Sequence, residues 1–182
     1  MILFVNACVR KQSRTKCIAD SVLSGKSFTE VKLGEQTFPT VDENYLAQRD
    51  KLIAQGCYEH PMFALARQFA AADEIVIAAP FWDLSFPAML KQYFEQINVL
   101  GITFSWTNGV PRGLCKAKKL TYITTAGGEY FPEEYGFGYV NALAQGFYGI
   151  KDVRLIKATG LDMDVNDPDA IIRTVITNLN QE

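Results

Sequence analysis

The stretch EIVIAAPFWDLSFPAMLKQYFEQI, Glu74–Ile97, decides how this chain is read. Its first six residues, Glu74 to Ala79, are apolar after the opening glutamate. A run of that kind fits a strand covered on both faces, as in a parallel sheet. Pro87 then opens a helix with Leu90, Phe94 and Ile97 on one face. Between strand and helix lies Pro80-Phe81-Trp82-Asp83-Leu84-Ser85. An ordinary strand-to-helix turn uses Gly, Ser or Asn. This one carries two aromatics and a carboxylate, which suits a wall for a planar ligand.

Outward from this stretch, strands and helices alternate. Ile2 to Asn6 is a short apolar strand, and Ser13 is placed to cap a helix carrying Ile18, Ala19, Val22 and Leu23. Glu30 to Leu33 reads as a weaker edge strand and Gly34 to Val41 as loop. Asp42 caps a helix with Tyr45, Leu46, Leu52 and Ile53 that ends at Gly56. Pro61 starts the next helix, with Phe63, Leu65 and Phe69. The Gly101 to Gly113 segment suggests a small hairpin around Asn108-Gly109, a turn pair. Leu120 to Thr125 is a fourth core strand. A helix is expected around Val140 to Phe147 and a fifth strand over Val153 to Ala158. Asp167-Pro168 starts a last helix with Ile171, Val175 and Leu179. Alternation of this kind predicts an α/β fold, a doubly wound parallel sheet with helices on both faces, in a single domain over residues 1–182.

In such sheets ligands bind beyond the carboxyl ends of the strands, where the strand order reverses. Three loops meet that rule. The first, Ala7 to Thr15, leads into a helix N-terminus, where free amides favour a phosphate. Ser13 and Thr15 add hydroxyls; Arg10, Arg14 and Lys16 add charge. Neither GxGxxG nor GxxxxGK[ST] is present. The second loop is Pro80 to Ser85. The third, Thr124 to Tyr130, contains Ala126-Gly127-Gly128, where glycine permits close backbone approach. A phosphate pocket and a flat-ring slot without a place for adenine suggest FMN, with no metal.

The 182 residues are 48% hydrophobic and 21% charged, with a net charge of −2. That balance gives no general attraction to nucleic acid or anionic membranes. No stretch approaches the about 18 apolar residues of a membrane span. The start, MILFVNACVRKQ, reverses the order of a signal peptide. Cys8, Cys17, Cys57 and Cys115 form no CxxC pair and no zinc spacing. A soluble cytoplasmic protein with reduced thiols is expected.

The chain resembles the flavodoxin-like NAD(P)H:quinone oxidoreductases and FMN-dependent azoreductases. The resemblance rests on Asn6 to Ala19 with its Ser13-Arg14-Thr15, on Ala79 to Leu84 through Pro87-Ala88-Met89-Leu90-Lys91, and on Gly101-Ile102-Thr103-Phe104-Ser105-Trp106. It continues through Gly113 to Lys119 and Thr124 to Gly128. It implies a five-stranded sheet in the order 2-1-3-4-5 and bound FMN, with NADH or NADPH as co-substrate. A homodimer and a quinone or azo acceptor are implied too. Ser13, Arg14 and Thr15 would take the phosphate. Pro80, Phe81, Trp82, Asp83 and Leu84 would line the isoalloxazine, and Thr125, Ala126, Gly127 and Gly128 its pyrimidine edge. Phe104 and its neighbours would roof the substrate pocket across the dimer. Asp83 stands where many relatives carry an amide or a larger side chain. No histidine follows the Gly-Gly pair, so Tyr130 is the one candidate for a catalytic side chain. The lone histidine, His60, reads as a helix-start residue. A single-electron carrier of the flavodoxin type is the alternative, against which the modest net charge argues.

Overall fold

The computed structural model describes residues 1–179 and 181. In chain order the elements are β1 (Ile2–Asn6), α1 (Arg14–Leu23), β2 (Phe28–Lys32), α2 (Glu43–Ala54), α3 (Ala64–Ala71), β3 (Glu74–Ala78) and α4 (Ala88–Ile97). There follow β4 (Phe104–Thr107), β5 (Val110–Gly113), β6 (Lys119–Thr125), α5 (Phe137–Leu143), β7 (Asp152–Ala158) and α6 (Pro168–Leu179). Five strands form one parallel sheet in the order β2-β1-β3-β6-β7, while β4 and β5 make a separate antiparallel hairpin. With the hairpin set aside, this is the expected order 2-1-3-4-5.

The apolar run of β3 is explained by its two faces. Ile75 and Ile77 enter a core with Phe69 of α3, Leu90 and Phe94 of α4 and Val140 of α5. Val76 and Ala78 enter a second core with Ile18 and Leu23 of α1 and Ile172 of α6. Both faces are therefore dry, so period-two alternation of polarity has no place in this strand. Burying each such isoleucine contributes about 1.5–3 kcal/mol. The chain leaves β1 toward β2 and leaves β3 toward β6, so the order reverses between two paired strands, Asn6 standing opposite Ala78. The loops after β1, β3 and β6 open at that end.

Several boundaries differ from expectation for identifiable reasons. β2 begins at Phe28, whose ring packs edge-on against Phe4 of β1. Leu33 leaves the strand for a 3₁₀ turn, Leu33–Glu35, and is buried there. Pro61 starts a 3₁₀ turn, Pro61–Phe63, that leads into α3. Pro87 is the residue before α4 rather than its first turn. α5 gives way at Ala144 to a π-turn ending at Gly149, and this wider turn seats Phe147 against Phe104, ring centroids 4.7 Å apart. Among the described residues no helix is long and apolar enough to cross a membrane.

Candidate functional site

At the end of β1 the chain is turned by Asn6, whose side chain accepts from the Cys8 amide at 2.9 Å and donates to Glu30 at 2.8 Å. Ser13 then caps α1 from an extended conformation, its hydroxyl accepting from the Lys16 amide at 3.2 Å. Among the described residues, no acceptor within the chain meets the Arg14 and Thr15 amides. These open donors at the start of a ten-residue helix are what an anion needs. Two of the three cations expected beside them are paired elsewhere. Lys16 meets Asp20 at 2.7 Å. The Arg14 guanidinium donates to the Leu161 carbonyl at 3.2 Å and to the Asp162 carboxylate at 2.7 Å. Cys8, in the same loop, is a half-buried thiol whose pKa burial pushes up.

Thr15 is buried, and its hydroxyl lies 2.6 Å from that of Thr125. This contact joins the first loop to the third. The second loop joins it too, because the Phe81 amide donates to the Thr125 carbonyl at 2.9 Å. Beyond Phe81, Trp82 and Ser85 exchange two backbone hydrogen bonds of 2.8 Å. The turn they close holds Asp83 at φ 50° and Leu84 at φ 68°. Two adjacent non-glycine residues in the left-handed region are uncommon and strained. Ser85 anchors the turn by donating to the Tyr135 carbonyl at 2.6 Å. Phe81 is wedged against Phe131, with ring centroids 4.4 Å apart, and against Gly136. The open wall of this loop is accordingly Trp82 and Leu84, 36% and 45% exposed.

The third loop is stitched to the segment after β7. Leu161 donates to the Ala126 carbonyl at 3.2 Å, Asp162 to Gly127 at 2.9 Å and Gly160 to Gly128 at 2.9 Å. The two glycines then differ. A Cβ on Gly127 would collide with the Asp162 carboxylate, so the chain itself uses that space. A Cβ on Gly128 would meet nothing nearer than 4.0 Å, so its face stays open to a ligand. Tyr130 is 76% exposed on the same loop. His60 does cap a helix start, its Nδ1 accepting from the Met62 amide at 3.2 Å. A cleft of 450 Å³ lined by Phe38, Tyr45, His60, Met62 and Gln96 includes no residue of the three loops.

The three loops expected to meet therefore do meet, through Thr15, Thr125 and Phe81. Asp162, Phe131 and Tyr135 were missed. The signal for Asp162 was available: Gly160-Leu161-Asp162 follows the fifth core strand and so falls on the same sheet edge.

A family profile described as flavodoxin-like fold matches residues 1–181. The chain belongs to the flavodoxin-like family. An FMN-dependent NADH:quinone oxidoreductase of Clostridium beijerinckii is 43% identical to the flavodoxin-like chain over 119 residues, 64% of this chain and 60% of the relative. A protein of the same name from Coprothermobacter proteolyticus is 38% identical over 143 residues, 76% of this chain and 69% of the relative. The aligned chain spans about three fifths of the length of such relatives. An azoreductase structure from Bacillus anthracis superposes with a TM-score of 0.84 at 24% identity, covering 99% of the flavodoxin-like chain and 96% of its own. At that identity the likeness bears on the fold alone.

Proposed function

We propose that this chain binds FMN and passes two electrons from NADH or NADPH to a quinone, an azo compound or a similar flat acceptor, substrates taking turns in one slot. FMN, when bound, supplies the hydride chemistry. The chain's own residues bind and orient. The Ser13 hydroxyl and the open amides of Arg14 and Thr15 hold the phosphate. Trp82 and Leu84 wall the ring system, with the turn amides at its edge, and the open face of Gly128 allows close approach on the other side. Thr125, Ala126 and Gly127 carry that backbone into position. Pro80 and Phe81 support the wall from behind.

The observation that carries this reading is the convergence of three loops at the strand reversal, locked by the Thr15–Thr125 and Phe81–Thr125 hydrogen bonds. Open amides, a flat apolar wall and an open glycine face fit a phosphate joined to a planar heterocycle. The names of the relatives fit the same chemistry. We take residues 1–182 as one flavin-binding domain, which two cores sharing one sheet support; Asn180 and Glu182 lie outside the described residues.

A homodimer in the cytoplasm completes the proposal. Phe104 is buried by its own chain, between Trp106 and Phe147. Trp106 is 53% exposed on the β4–β5 hairpin, with Val110 and Leu114 exposed nearby, and this apolar face supports a second copy. The function is tested by adding FMN, NADH and a quinone or azo dye to purified protein. Acceptor-dependent NADH oxidation is expected. A protein that retains FMN but is not reduced by NADH would instead be a carrier.

A further inference from the structure

Arg14 is the first residue of α1, where a cation would reach a bound phosphate directly. Its guanidinium is instead committed to the Leu161 carbonyl and the Asp162 carboxylate. The carboxylate is itself well placed. The Asp162 amide donates to the Gly127 carbonyl at 2.9 Å, and one carboxylate oxygen fills the space where Gly127 lacks a Cβ. A negative charge therefore sits at the exposed edge of the third loop, in contact with the guanidinium of the first helical residue. The local sequence around Arg14 does not reveal it, because the two residues are 148 positions apart.

We propose that Asp162 is a specificity-determining residue that holds Arg14 away from the phosphate end of the site and so mutes the preference for a phosphorylated flavin over an unphosphorylated one. The inference rests on the flavin reading given above. A phosphate and a carboxylate are competing acceptors for one guanidinium, and each gains strength from charge assistance. The phosphate is then held by the Ser13 hydroxyl and the amides of Arg14 and Thr15. Neutralising Asp162 leaves the loop's backbone bonds in place and releases Arg14 to a stronger acceptor. The consequence falls on the phosphate and not on the rings, which separates it from a general loosening of the loop.

The test is a titration of apoprotein with FMN and, separately, with riboflavin, followed by flavin fluorescence at low and at high salt. Asp162→Asn is expected to tighten FMN about tenfold, a change of about 1.4 kcal/mol, and to leave riboflavin within about twofold. Asp162→Ser, which also removes the charge and leaves less bulk against Gly127, is expected to shift FMN in the same direction. The gain should shrink at high salt and vanish in Arg14→Gln/Asp162→Asn. An equal change for both flavins, no change in their ratio, or a gain that survives Arg14→Gln overturns the inference while leaving the flavin reading intact. Binding of neither flavin to the unsubstituted protein or the variants overturns both.

Discussion

The hydroxyls of buried Thr15 and half-buried Thr125 make one hydrogen bond between two loops. Removing the Thr125 hydroxyl leaves that of buried Thr15 unsatisfied, removing the Thr15 hydroxyl leaves one that water can reach, and removing both leaves two methyl groups in contact. Thr125→Val alone is expected to cost about 1–3 kcal/mol and Thr15→Val alone less. The double variant is expected to fall short of the summed cost by about 1 kcal/mol, measured by denaturant unfolding. Tyr130 presents the opposite case, a phenol out in solvent where electrostatic help is weak. A general acid contributes about 10²–10⁴-fold, so Tyr130→Phe separates the roles sharply. Turnover within about fivefold of the parent is expected in steady-state assays; a loss of a hundredfold would make Tyr130 an acid.

Among the elements, the Trp82–Ser85 turn carries the clearest strain. Asp83 and Leu84 both hold positive φ without being glycine, tied down by Ser85 to Tyr135 and by Phe81 to Thr125. Leu84→Gly relieves about 1–2 kcal/mol of steric conflict and adds about 0.5–1 kcal/mol of backbone entropy cost. A net stabilisation of about 0.5–1 kcal/mol is therefore expected in thermal unfolding, together with weaker flavin retention because an apolar wall residue is lost. A stability unchanged or lowered would show that Leu84 packs better than its torsion suggests. The neighbouring elements were legible to different degrees. Asn108-Gly109 forms the expected hairpin turn because both residues tolerate positive φ, 53° and 77°. The π-turn after α5 was hidden, since it depends on Gly113, whose missing side chain lets the backbone of Tyr148 and Gly149 pass.

At the scale of the molecule, Asp73 fastens the base of the sheet. Its carboxylate meets Lys116 at 2.6 Å and the Met1 amine, and the Lys116 hydrogen bond leads in lowering its pKa from 3.8 to about 2. A depressed carboxyl pKa stabilises the fold above its unfolded value and loses that contribution as pH falls through the folded value. Both ion pairs face solvent, so only a small drop in stability is expected between pH 3.8 and about 2, and Asp73→Asn should flatten it in melting temperatures measured against pH. The exposed face around Trp106 bears on assembly. Trp106→Asp is expected to turn a sedimenting dimer into a monomer, because a charge in an apolar contact has no partner. A parent protein that sediments as a monomer at micromolar concentration would remove the dimer from the proposed function.

The amino-acid sequence by itself determined the layout. Apolar runs such as Ile2–Val5 and Ile75–Ala79, caps such as Ser13 and Asp42, and breaks such as Pro87 act over a few residues, so periodicity and local propensity reveal them. With right-handed crossovers these elements already bring the three loops to one edge. Only the tertiary structure decided how that edge is used: that Gly127 makes room for Asp162 and Gly128 remains open, that Phe81 backs the wall and Trp82 faces out, and that Arg14 is engaged before any ligand arrives. Those outcomes depend on partners far along the chain, as with Arg14 and Asp162, 148 positions apart, and neither composition nor spacing near a residue carries that information.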